Sequence, residues 1–160
     1  MMKAYYKKDK FIFEIEYNEK IEKITLVDEE KSGKKSFVSN FAFEEISSFL
    51  DGNLKKFSFE INPQGTDFQK KVWREIEKIP YGKTITYKEI GENLNSKAYQ
   101  AIGSACGKNP ILLRIPCHRV VGKNNLGGFF YGLDLKKYLL ELEKNKKYKW
   151  IVIGIFLRKS

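Results

Sequence analysis

The sequence predicts an α/β chain of the α+β kind, with a strand-rich N-terminal portion followed by a helical C-terminal portion. Three observations carry this. Phe11, Phe13, Ile15 and Tyr17 alternate with polar residues, the period of a half-buried strand. Phe68, Val72, Ile76 and Ile79 fall on one face of a helix. Between them Asn62-Pro63-Gln64-Gly65 is a turn cluster, and the domain boundary is drawn there: residues 1–63, a scaffold, and residues 64–160.

At 160 residues, 42% hydrophobic and 14% aromatic, the chain can bury a core and is not of disordered composition. No stretch has the apolar length of a bilayer span, and the charged start (residues 1–10) is unlike a signal peptide. Two cysteines and one histidine are too few for a disulfide framework or a zinc cage, so no metal is expected, and a reducing, cytoplasmic location is. Residues 1–63 carry 11 Lys/Arg against 12 Asp/Glu, a net of −1. Residues 64–160 carry 19 against 8, a net of +11. A surface of that sign attracts polyanions through counterion release, although a merely lysine-rich surface has the same signature.

In chain order, residues 2–6 read as a short strand, and residues 11–17 and 24–27 as two more, joined by the turn Asn18-Glu19-Lys20. Phe41, Ile46, Phe49 and Leu50 have helical spacing that ends near Gly52, and residues 57–61 alternate again. Thr66 with Gln69 is a capping box that opens the next helix, and Pro80-Tyr81-Gly82 stops it. Thr86 with Glu89 is a second box, with Ile85 and Ile90 as its hydrophobic staple, opening a helix over about residues 87–94. Ser96 caps a third over about 97–106. Two short helices across a tight turn give a helix-turn-helix outline. The third helix is nearly bare (Ala98, Ala101, Gly103, Ala105, Gly107), which suits close packing against another element or close approach to a DNA groove. Residues 111–115 read as a short apolar strand. Asp134 caps a last helix carrying Leu135, Tyr138, Leu139 and Leu142, and residues 150–157 read as a packed terminal strand or helix.

The sharpest chemical feature is Cys117 beside His118, the only histidine. The thiolate is the reactive form of cysteine, and a nearby base increases its population. On a strand, neighbouring side chains point to opposite faces, so a turn or a bridging water is needed for His118 to take the proton. The surrounding run Ile115-Pro116-Cys117-His118-Arg119-Val120-Val121 closely resembles the active-site motif of O6-alkylguanine-DNA alkyltransferases, also called methylated-DNA–protein-cysteine methyltransferases. Gly65-Thr66-Asp67-Phe68-Gln69, Val72-Trp73, Ile79-Pro80-Tyr81-Gly82, Thr86-Tyr87 and Gly107-Lys108-Asn109-Pro110 extend the resemblance from Gly65 to about Glu143.

The resemblance implies a ribonuclease-H-like N-terminal domain and a C-terminal domain that repairs double-stranded DNA without a cofactor, as a monomer. Cys117 takes the alkyl group from O6-alkylguanine, with O4-alkylthymine a second candidate lesion, once and irreversibly. His118 is the general base through a water, Glu143 orients it, and Asn109 supports the turn. Tyr87 reaches the flipped base or its phosphate. Gln100, Ala98, Ala101, Gly103, Arg119, Phe129 and Phe130 complete the set facing DNA and base, with Arg119 better suited to tying the turn to its neighbours.

Three positions depart from the family's pattern. Gln100 stands where an arginine usually enters the duplex, and Phe129-Phe130 replaces a common Tyr-Ser. Cys106 stands where a larger apolar residue is often found and reads as a small core residue. Two other readings keep the helix-turn-helix without the chemistry: a protein that flags alkylated DNA, and a sequence-specific regulator. Cys117, His118, Asn109 and Glu143 together argue against the first, and competition between alkylated and plain DNA in a gel shift separates the second. A thiol protease or acyltransferase is a weaker third reading, since no histidine other than His118 supplies the usual catalytic partner.

Overall fold

The computed structural model describes residues 1–144, so the expected terminal element over 150–157 lies outside the described residues. The architecture is mixed α/β, in two compact units: Met1–Gln64 with Pro110–Leu112, and Gly65–Asn109 with the described residues from Leu113. The sequence boundary at 63/64 leaves out the excursion at Pro110–Leu112, whose backbone pairs with the first unit.

The first unit is an antiparallel meander of β1 (Met2–Lys8), β2 (Phe11–Tyr17) and β3 (Ile21–Val27), with helix α1 (Phe37–Leu50). Phe13, Ile15 and Tyr17 are buried on one face of β2, as the alternation requires, and α1 buries Ser39, Ala42, Ile46, Phe49 and Leu50. Phe41, expected on the buried face of α1, is exposed instead and stacks near Phe37.

Two expected strands do not form. Over residues 57–61 only Ile61 makes a bridge, to Ile21, because the Glu45 carboxylate takes the backbone N–H groups of Ser58 and Phe59 (2.8 and 2.9 Å). Of residues 111–115 only Ile111 pairs, with Ile24. The run then turns at Leu113, whose φ of 71° no strand tolerates. Its apolar residues are buried all the same, which is why the pattern resembled a strand.

The second unit contains α2 (Asp67–Glu77), β4 (Ile85–Thr86), α3 (Tyr87–Asn93), α4 (Tyr99–Gly107), a 3₁₀ turn (Cys117–Arg119), β5 (Val120–Val121) and α5 (Leu133–Lys144). Both capping boxes are made: Thr66 accepts from Gln69 N–H and Thr86 from Glu89 N–H, each at 3.1 Å, and each partner side chain returns the bond. Helix α4 starts later than the sequence suggested, since the Ser96 hydroxyl bonds to Ala98 N–H before the first turn (3.1 Å). Trp73 on α2 is buried and its indole N–H donates to Ala105 O on α4 (2.8 Å). Gly65 lies against the same ring, where a Cβ would come within 2.5 Å of it. Gly91 does the equivalent for α3 and α4: a Cβ there would meet Ser96 O at 2.6 Å and the Tyr99 ring at 2.7 Å.

Candidate active site

Helices α3 and α4 join through residues 94–98, with Asn95 in the left-handed region (φ 52°) and Ser96 N–H donating back to Gly91 O (2.8 Å). Ile102 and Ala105 are the buried side of α4. Its outer side, with Ala98, Gln100, Ala101, Ser104 and Gly107, is exposed, and Gly103 is half-buried. Small exposed side chains let the backbone of this helix approach a flat or grooved partner closely.

The parallel pairing of β4 with β5 (Ile85 opposite Val120, Thr86 opposite Val121) sets the start of α3 beside the chain leaving the 3₁₀ turn. That turn answers the geometric objection to a Cys-His neighbour pair, because Cys117 and His118 do not lie on a strand. Cys117 N–H bonds to Ile115 O (2.8 Å) and Arg119 N–H to Pro116 O (2.9 Å). Asn109 Nδ2 holds the entry by donating to Ile115 O (2.7 Å), and the same side chain favours the charged form of the Cys117 thiol.

Glu143, on the last turn of α5, gathers the exit. Its Oε2 lies 2.5 Å from His118 Nε2, and Arg119 Nε donates to Oε1 at 2.8 Å and Oε2 at 3.2 Å. Gly82 N–H donates to Oε1 (2.9 Å), from a backbone with φ of 78° that favours glycine. The Arg119 guanidinium also donates to Ile79 O (2.8 Å) and lies over the Tyr81 ring. Arg119 is buried, so of its two sequence-derived roles the structure displays the tie, not a surface that could meet DNA.

Burial sets the protonation states. It pushes the Cys117 thiol well above its ordinary value, and the neighbouring Cys106 thiol adds to this, while Asn109 and Lys136 act in the opposite direction. Burial lowers His118 against the pull of Glu143, so the imidazole is neutral at neutral pH. Burial alone would raise Glu143, but His118 and Arg119 outweigh it and hold the carboxyl below its usual range. At rest the site is a neutral thiol, a neutral imidazole and a carboxylate.

Cys117 opens onto a pocket of about 130 Å³ lined by Tyr87, Gly103, Cys106, Gly107, Gly128, Phe129 and Phe130. Tyr87 is half-buried and kept a neutral phenol chiefly by burial, with the Gly128 backbone acting in the opposite direction. Gly127 (φ 70°) passes so close to it that a Cβ would sit 2.8 Å from the Tyr87 hydroxyl. Phe129 is half-buried, whereas Phe130 is 76% exposed at the pocket's rim, edge-on to Tyr131. Cys106 is not a core residue: it is partly exposed and lines the pocket together with Cys117.

Sequence reasoning missed Lys136. Its side chain is fully buried, donates to Val120 O (2.6 Å) and Gly128 O (2.9 Å), and is pushed down to about 8 by burial. The one available signal was its place between Leu135 and the buried Tyr138, a lysine at the edge of an apolar face.

Residues 67–145 match the family model described as the DNA-binding domain of 6-O-methylguanine DNA methyltransferase. A methylated-DNA–protein-cysteine methyltransferase of Methanosarcina barkeri is 46% identical over 106 residues, covering 65% of this chain and 67% of the relative. A probable one of Acanthamoeba polyphaga mimivirus is 43% identical over 117 residues, covering 68% and 78%. Among solved structures, an O6-methylguanine methyltransferase of Mycobacterium tuberculosis superposes with a TM-score of 0.80 at 29% identity, covering 90% of this chain and 93% of that one. A Mycobacterium tuberculosis OGT in complex with DNA gives 0.79 at 29% identity, covering 89% and 92%.

Proposed function

Because this chain belongs to the methylated-DNA–protein-cysteine methyltransferase family, we propose that Cys117 is the acceptor to which it transfers alkyl groups from O6 of guanine in DNA. The observation that carries the assignment is the Cys117 thiol at the floor of a pocket, one residue from a neutral imidazole held by a buried carboxylate. The activity is DNA repair by direct alkyl transfer, and its macromolecular partner is DNA.

O6 lies on the pairing edge of guanine, so the lesion leaves the stack before sulfur can reach it. The exposed, bare side of α4 suits the approach to the duplex, and Tyr87, Phe129 and Phe130 suit the reception of a flat base. The Glu143 carboxylate accepts Nε2–H of His118, which makes Nδ1 the lone-pair nitrogen. Through a water, Nδ1 takes the Cys117 proton as sulfur attacks the alkyl carbon in line. The S–C bond forms, the C–O6 bond breaks, and the departing guanine gains a proton, for which the neutral Tyr87 phenol is a suitable donor. The thioether product is not readily hydrolysed, so each molecule acts once. The N-terminal unit is a scaffold in this scheme, and a reducing cytoplasm is the compartment that keeps both thiols usable.

Incubation with excess O6-benzylguanine tests the assignment. One benzyl group should appear per chain, located at Cys117, and Cys117→Ser should gain none and clear no methyl groups from DNA. A benzyl group on another residue, or repair by the serine variant, removes Cys117 from the role.

A further inference from the structure

Two thiols share the pocket, and alkyl transfer uses one. Cys106, near the end of α4, is partly exposed and lines the same pocket of about 130 Å³ as Cys117, so the two side chains share one small space. The walls around them are open: a Cβ built on Gly103, Gly107 or Gly128 would meet nothing within 4 Å. A small oxidant can therefore reach both sulfurs, and the side chains have room to rotate. No other cysteine competes for either one.

We propose that Cys106 and Cys117 are a dithiol that a peroxide closes to a disulfide, withdrawing the alkyl acceptor until a thiol reductant reopens the bond. One cysteine sulfur attacks the peroxide oxygen, giving a sulfenic acid and releasing an alcohol, or water from hydrogen peroxide. The second thiol displaces water from the sulfenic sulfur. Both sulfurs are oxidised by one electron each, the peroxide is reduced by two, and the two thiol protons leave in the products. A disulfide needs its sulfurs about 2.05 Å apart, and rotation about χ1 of two side chains lining one pocket is the movement required. A pair facing an open pocket is of the exposed, readily reduced kind, suited to reversible use. The consequence for repair rests on Cys117 being the acceptor; the bond itself does not.

The test treats the reduced full-length protein with a few equivalents of hydrogen peroxide, followed by digestion with trypsin without reductant. The expected product is the peptide of residues 98–108 joined to that of residues 115–119, with the intact mass lower by two hydrogens. Benzyl uptake from O6-benzylguanine should fall by roughly tenfold or more and return on adding dithiothreitol. Cys106→Ser should give no joined peptides, and dimedone should then trap a sulfenic acid at Cys117. The proposal is overturned if the unsubstituted protein, at peroxide levels that consume Cys117, yields separate sulfenic or sulfinic acids and no joined pair. It is equally overturned if both thiols survive unchanged. Joined peptides from a protein that takes no benzyl group even when reduced would uphold the disulfide and remove the alkyl-acceptor assignment instead.

Discussion

Glu143→Gln separates two jobs that the carboxylate performs at once. The side chain is almost completely buried and receives Gly82 N–H, Arg119 Nε and His118 Nε2. Glutamine has nearly the same shape, and its oxygen can keep Gly82 and Arg119, but its NH₂ group then faces His118. An amide N–H pointing at Nε2 requires the other imidazole tautomer, with the proton on Nδ1, and that nitrogen can no longer accept a proton relayed from sulfur. Loss of a positioned general base costs about 10²–10⁴ in rate. The second effect is on stability. Removing one partner of a buried ion pair costs about 3–5 kcal/mol, and because the amide retains two contacts the low end is expected. For a chain of this size about 3 kcal/mol lowers Tm by roughly 6–12 °C. The assay is the rate of benzyl uptake at Cys117, measured well below the variant's own Tm and normalised to folded protein by circular dichroism. A folded variant that reacts within about threefold of the unsubstituted protein would refute the tautomer argument, since positioned-base losses start near 10². A rate loss with unchanged Tm would refute the ion-pair argument while leaving the first intact.

The same geometry makes three further predictions. Burial lowers His118 below its unfolded value of about 6.5, so below that pH the unfolded chain binds more protons than the fold; the stability tied to His118 is fully present above about 6.5 and is lost as pH drops, with Glu143 adding the same trend lower down, and a urea midpoint that stays constant between neutral pH and the acidic limb would contradict this. Phe130→Ala should weaken capture of alkylated duplex by about 1–3 kcal/mol, the usual worth of base stacking on an aromatic ring, while a side chain 76% exposed contributes little to folding; equal affinity in a filter-binding titration refutes the stacking role. Gln100→Arg, on the exposed side of α4, should tighten DNA binding, speed repair, and steepen the log–log salt dependence by about 0.9, which an unchanged slope and rate would exclude.

What was legible in the sequence is what local chemistry decides. The boxes at Thr66–Gln69 and Thr86–Glu89 are complete within four residues, and both helices start where the boxes require. Asn109 and Glu143 are legible from resemblance alone, since the hydrogen bonds they make, to Ile115 O and His118 Nε2, join residues that no local pattern brings together. The failures have a common cause. Strand pairing at residues 57–61 and 111–115 depends on partners that the run itself does not encode, and the Glu45 carboxylate and the turn at Leu113 decided against it. Lys136 reads as an ordinary surface lysine until Val120 and Gly128, distant in sequence, present their carbonyls. Cys106 reads as a core residue because nothing in its own helix reveals that Cys117 lies opposite.

The arrangement also explains why a sulfur that must react is kept in a state that does not. Burial holds both Cys117 and His118 neutral, so before a lesion arrives the thiol and imidazole are not an ion pair. Negative charge appears on sulfur only as the proton leaves. Lys136 and Asn109, the two groups that favour the charged sulfur, are already fixed: Lys136 by two carbonyls and Asn109 by Ile115 O. Groups in place before the charge develops need no reorganisation when it does, which is the condition under which such interactions lower a barrier most. Under the assignment of Cys117 as acceptor, a protein that reacts once per molecule gains from that order of events, because a thiol ionised at rest reacts faster with every electrophile, peroxides included.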